Sequence, residues 1–97
     1  MIEIFGFRED KIMCPNRMKS KRLCEENGVE YKFYSVITDV VGGRAVRDVP
    51  VVKDLVSRMG WDTMHPINVP QIFVDGKHIG GLQDLRVYFR SGKIDDV

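Results

Sequence analysis

Asn68-Val69-Pro70-Gln71-Ile72-Phe73-Val74-Asp75-Gly76-Lys77-His78-Ile79-Gly80-Gly81 is the stretch that decides the architecture of this chain. Ile72, Phe73 and Val74 favour a strand, read here as Gln71 to Val74. Asp75-Gly76 is a tight hairpin dipeptide, and Lys77 to Ile79 is its return strand. Gly80-Gly81 breaks that strand. Gln83 to Arg90 then reads as a helix ended by Ser91-Gly92. Val69-Pro70 stands at the entry of the first strand. A cis bond there would expose the backbone of Val69 for pairing with a peptide-like ligand; a plain strand-entry proline is the competing reading.

Working back from this segment, the rest of the chain falls into alternating elements. Ile2 to Phe7 is a short apolar run and reads as a buried strand. Arg8 to Met13 is a loop. Cys14-Pro15 opens a helix, because proline suits the first helical position, where its missing N–H has no partner anyway. Asn27-Gly28 stops it. Met18, Leu23 and Cys24 are its expected inward positions. Val29 to Ile37 reads as a second strand, and Thr38 to Val49, with Gly42-Gly43, as a long connection. Asp48-Val49-Pro50 is a helix entry, Val51 to Met59 a short helix ended by Gly60, and Trp61 to Asn68 a loop. The order is β-α-β-α-β-β-α. Its first three elements imply two parallel strands and its hairpin an antiparallel pair. The class is therefore α/β, a four-stranded mixed sheet flanked by three helices.

Ninety-seven residues fit one domain, 1–97, with no repeat or linker. A net charge of +1 gives no bulk argument for nucleic acid or membrane, and no run is apolar enough to span a bilayer. The start lacks the pattern of a secretory signal, so a reducing, cytoplasmic setting and a monomer are expected. In that setting two cysteines are free or catalytic rather than a structural staple. Locally, Arg8, Lys11, Arg17, Lys19, Lys21 and Arg22 oppose only Glu9 and Asp10. Such a stretch attracts a small anion or an acidic surface; a solvated helix face would look the same.

Cys14 is the candidate nucleophile; a buried, inert cysteine is the competing reading of the Cys-Pro pair alone. A sulfur at a helix N-terminus meets backbone N–H groups and the favourable end of the helix dipole, which stabilises a thiolate. Arg17 and Lys11 lie three residues to either side, close enough to add a positive charge. Gly80-Gly81 before the last helix permits close backbone approach, and its N–H groups could hold a carboxylate. Asp84 is then a candidate N-cap or ammonium partner. The two histidines, His65 and His78, form no ligand motif, and no metal site is expected. Trp61 and the methionines read as packing residues.

Lys11-Ile12-Met13-Cys14-Pro15 resembles the lysine and active-site opening of the glutaredoxins, members of the thioredoxin superfamily. The stretch 68–81 resembles their second-half signature. Phe5-Gly6-Phe7, Arg58-Met59-Gly60-Trp61-Asp62-Thr63 and Leu85-Arg86-Val87-Tyr88-Phe89 resemble the glutaredoxins of T-even bacteriophages. The similarity spans nearly the whole chain. It implies a thioredoxin fold and glutathione as co-substrate. It also implies that Lys11 meets the glycine carboxylate, the Val69 backbone the cysteinyl unit, and Gln83 and Asp84 the γ-glutamyl end. Pro70 would be the cis proline. Partners would be glutathionylated or disulfide-bearing proteins, with ribonucleotide reductase a candidate, in a host cytoplasm if the source is viral.

The resemblance breaks at one place. The family's usual Cys-Pro-Tyr-Cys is here Cys14-Pro15-Asn16-Arg17, so the resolving thiol is missing. Cys24 cannot replace it: ten residues of helix rise about 15 Å, whereas a disulfide needs Cα atoms within about 7 Å. A monothiol oxidoreductase, with external glutathione as resolving thiol, is the leading expectation. A [2Fe–2S] carrier using two Cys14 thiolates and two glutathiones is an alternative, and Pro15 argues against it because such single-cysteine members have glycine there. A non-catalytic binding module is the third reading.

Overall fold

The computed structural model describes residues 1–8, 14–62 and 66–91. Its elements are β1 (Ile2–Gly6), α1 (Pro15–Glu26), β2 (Tyr31–Ser35), β3 (Ile37–Val41), β4 (Arg44–Arg47), α2 (Val49–Met59), β5 (Gln71–Val74), β6 (Lys77–Gly80) and α3 (Leu82–Arg90). Four strands form one sheet in the order β2-β1-β5-β6. β1 runs parallel to β2, with Ile4 opposite Phe33, and antiparallel to β5, with Ile4 opposite Ile72. The expected mixed sheet and three helices are therefore present.

Successive strand residues face opposite sides, and β1 divides accordingly. Ile2 and Ile4 pack with Ile72, Cys24 of α1 and Leu85 of α3. Phe5 packs with Phe73, Val36, Ile37 and Val52 and Leu55 of α2. Glu3, on the α2 side, is spanned by Arg58, whose Nη1 and Nη2 donate to the two carboxylate oxygens at 2.9 and 3.2 Å. The same guanidinium lies 5.2 and 5.1 Å from the Phe5 and Phe73 ring centroids and donates through Nε to Asp54. Hydrogen bonds from Arg58 hold the Glu3 carboxyl below the usual carboxylate range.

The local chemistry behaves as expected at the helix ends. Pro15 stands in the first turn of α1 behind Cys14. The Asp48 carboxylate accepts from the Val51 N–H at the start of α2, and Gly60 closes that helix at φ 67°.

Three expectations need correction. The connection 38–49 contains a second, two-stranded sheet, β3 paired antiparallel with β4. Gly42 and Gly43, at φ 57° and 77°, form its turn. Both positive angles suit a tight hairpin, and β-branched residues on either side were the available signal. The second strand ends at Ser35 because its hydroxyl turns the chain, accepting from the Ile37 N–H and donating to the Ile37 carbonyl. In α1, the buried residues are Arg17, Ser20 and Cys24, while Met18 is 43% exposed. Positions 17, 20 and 24 form one helical stripe, and two of its three residues are polar, which hid the stripe from a reading based on apolar spacing. Among the described residues, no helix is long and apolar enough to cross a membrane.

Candidate active site

Sheet register assembles the site. Gln71, the first residue of β5, lies opposite Phe5 near the end of β1, and Gly80, the last of β6, lies opposite Ile72. The β1–α1 junction, Val69-Pro70 and the β6–α3 turn therefore share one end of the sheet.

Cys14 is half-buried and occupies the N-cap of α1 in extended conformation, φ −136° and ψ 97°. Its carbonyl accepts from the Met18 N–H at 3.2 Å. The sulfur thus sits at the positive end of a 12-residue helix. Arg17, in the first turn, is only 1% exposed. Its Nη1 donates to the carbonyl oxygen of Phe7, just past β1. Its stem passes beside Gly6, where an added Cβ would stand 3.6 Å from Arg17 Cγ and 3.3 Å from the Phe33 ring. Through this bond the Arg17 side chain ties α1 to the end of β1. Lys19 and Arg22 stay on the exposed face, and the Lys21 Nζ lies 4.2 Å from the Phe33 ring centroid. Lys11, Met13, Met64 and His65 lie outside the described residues.

The Val69-Pro70 bond is cis. Pro70 is buried, and the half-buried Val69, like Trp61 and Ile67, packs against the core cluster around Phe5. Gly81 abuts this proline: an added Cβ would lie 3.6 Å from the Pro70 carbonyl oxygen. The Asp84 carboxylate reaches back to accept from the Gly81 N–H at 2.9 Å. Asp84 therefore caps α3 from its third position, not as the N-cap, which is Gly81. Gly80 is indispensable here. Its φ is +125°, and an added Cβ would collide with the Asp84 carboxylate, whose Cγ would be 2.5 Å away. Gln83 is exposed, and its Oε1 accepts from Arg86 Nη1 at 2.8 Å. His78 is exposed and pairs through Nε2 with Gln71 Oε1 at 2.8 Å.

The second cysteine is set apart. Cys24 is fully buried, and burial, with the charge of Glu25, pushes its thiol up to about 11. It is a packing residue in a protonated state.

A helix-start cysteine and a cis-proline loop at the same end of a mixed sheet of order β2-β1-β5-β6 define the thioredoxin-fold class. No family model matches the chain. Glutaredoxin of Enterobacteria phage T4 is 29% identical over 91 residues, 93% of this chain and 100% of that one. Glutaredoxin 3 of Escherichia coli K12 is 32% identical over 85 residues, 88% and 86% of the two chains. The crystal structure of a buckwheat glutaredoxin–glutathione complex superposes with a TM-score of 0.62 at 23% identity, over 98% of this chain and 73% of that one. The chain belongs to the glutaredoxin family and is a thiol–disulfide oxidoreductase.

Proposed function

We propose that the protein removes glutathione from mixed disulfides by a monothiol mechanism, with Cys14 as the only participating cysteine. One observation carries this reading: Cys14 is half-buried at the helix start, while Cys24 is sealed in the core and position 17 holds a buried arginine. In the first step the Cys14 thiolate attacks the glutathione sulfur of a mixed disulfide. A new S–S bond forms to Cys14, the old S–S bond breaks, and the substrate leaves as its thiolate. In the second step an external glutathione thiolate attacks the glutathione sulfur held on Cys14. Oxidised glutathione leaves and the Cys14 thiolate returns. In sum the mixed disulfide and one external glutathione become the substrate thiol and oxidised glutathione, and no second protein thiol takes part.

The residues around Cys14 suit glutathione. Among the described residues, none hydrogen-bonds to the Val69 peptide groups, so they are available to the cysteinyl unit. The start of α3 offers N–H groups to the γ-glutamyl carboxylate, and the Asp84 carboxylate is held there by Gly81, in place to meet the ammonium. Lys11 is assigned the glycine carboxylate by family resemblance. The chemistry calls for a compartment rich in reduced glutathione, such as the cytoplasm. Reduction of an intramolecular protein disulfide, as in ribonucleotide reductase, calls for the thiol that Arg17 replaces, so glutathionylated proteins are the favoured substrates.

The test is a glutathione-coupled assay with the mixed disulfide of glutathione and 2-mercaptoethanol. Cys14→Ser should abolish turnover, and mass spectrometry after incubation with oxidised glutathione should find a single glutathione adduct, on Cys14. Undiminished turnover in Cys14→Ser, or an adduct on Cys24 alone, would overturn the assignment.

A further inference from the structure

The β3–β4 hairpin encloses a cavity of about 350 Å³ against the site's end of the sheet. Phe7, Ile37 and Val52 contribute apolar surface, as do Ala45 on the hairpin and Ile67 on the segment leading to the cis proline. Phe7 is the residue whose carbonyl Arg17 holds, and Ile67 stands two residues before Val69. The cavity therefore adjoins both segments that frame Cys14. Among the described residues, the only charged one in its lining is Arg47. Arg47 is exposed and, among the described residues, makes no ion pair. Its neighbour Asp48 is occupied as the cap of α2. Ala45 and Arg47 share one face of β4, and Arg44 and Val46 point the other way.

We infer that this cavity is a docking subsite for the protein substrate, accepting an apolar side chain whose neighbouring residue is acidic. The apolar walls favour burial of a hydrocarbon group, and the arginine beside it favours a carboxylate at the rim. Glutathione itself lacks a hydrocarbon side chain to fill it, so the subsite distinguishes among proteins rather than among small disulfides. This inference rests on the glutathione-transfer reading of Cys14.

The test compares two decapeptides, each carrying one glutathionylated cysteine, one flanked by leucine and aspartate and the other by serine and lysine. The wild-type protein should prefer the first by about fivefold in kcat/KM at low salt, and the preference should shrink as salt rises. Arg47→Glu should remove the preference. Arg44→Glu makes the same change of net charge on the opposite face of β4 and should leave it intact. Both variants should process the glutathione–mercaptoethanol disulfide at the wild-type rate. Equal rates on the two peptides, or equal losses in Arg47→Glu and Arg44→Glu, would overturn the subsite. If the small disulfide is not turned over at all, the Cys14 reading fails instead. Fluorescence anisotropy of the leucine–aspartate peptide with serine replacing cysteine then decides the subsite alone: weaker binding to Arg47→Glu supports it, and unchanged binding refutes it.

Discussion

The two regions that meet at the end of the sheet are built in different ways. Around Val69 to Asp84 the site is made of backbone: a cis peptide, a glycine at φ +125°, and a helix start whose N–H is met by Asp84. Around Cys14 to Arg17 it is made of side chains: one half-buried sulfur and one buried guanidinium. Backbone devices shape a binding surface that a peptide-like ligand can pair with, and they admit few residue types. Side-chain devices set the chemistry. On the proposed monothiol path, the arginine at position 17 therefore bears on the side-chain half and leaves the backbone half in place.

The sharpest way to break this division is at the sulfur. Cys14→Ser should lower turnover on the order of a thousandfold or more while leaving the thermal midpoint nearly unchanged, as measured by coupled assay and calorimetry. A large loss of stability would make Cys14 structural as well as chemical.

Gly80→Ala should act in the opposite sense. It forces a Cβ into a conformation reserved for glycine and against the Asp84 carboxylate, and should cost about 2–3 kcal/mol in denaturant unfolding. Gly80→Ala combined with Asp84→Ala removes the collision but not the backbone strain, so only part of the loss should return. Full recovery would show that side-chain crowding, not backbone conformation, governs this turn.

Arg17→Ala comes next. It leaves the Phe7 carbonyl without its guanidinium donor in a buried setting and should cost about 2 kcal/mol. Because the bond ties the first turn of α1 to the end of β1, turnover should fall in step with the looser Cys14 position. Unchanged stability would mean the carbonyl finds another donor.

The smallest effect is a pH dependence in the scaffold, away from both regions. The Glu3 carboxyl is held low by Arg58 in the folded state, so its contribution is present above the unfolded carboxylate value, about 4.3. It is lost as pH falls through the lower folded value. Stability of wild type relative to Glu3→Gln should therefore narrow by about 1 kcal/mol between neutral and strongly acidic pH. A difference that stays constant with pH would place the role of Glu3 in packing instead of charge.

Much of this was legible in the residues themselves. Pro15 behind Cys14, Asp48 before Val49-Pro50, Asp75-Gly76 and Gly80-Gly81 are each local devices, whose effect depends on one or two neighbours, and all fall at element ends. The order of the three helices and the four strands of the main sheet, and the helix-start cysteine, follow from them. The hairpin at Gly42-Gly43 and the burial of Arg17 were not legible in the same way. Whether 37–47 pairs with itself or runs as a connection depends on what lies beneath it, here Phe7, Val52 and Ile67. Whether an arginine faces water or the sheet depends on a carbonyl ten residues away and on a glycine that leaves room for its stem. Sequence alone determined where the chain turns, because turns and caps are short-range chemistry. Only the tertiary structure decided which side chains are enclosed and which segments share one end of the sheet, because burial is set by neighbours distant in the chain.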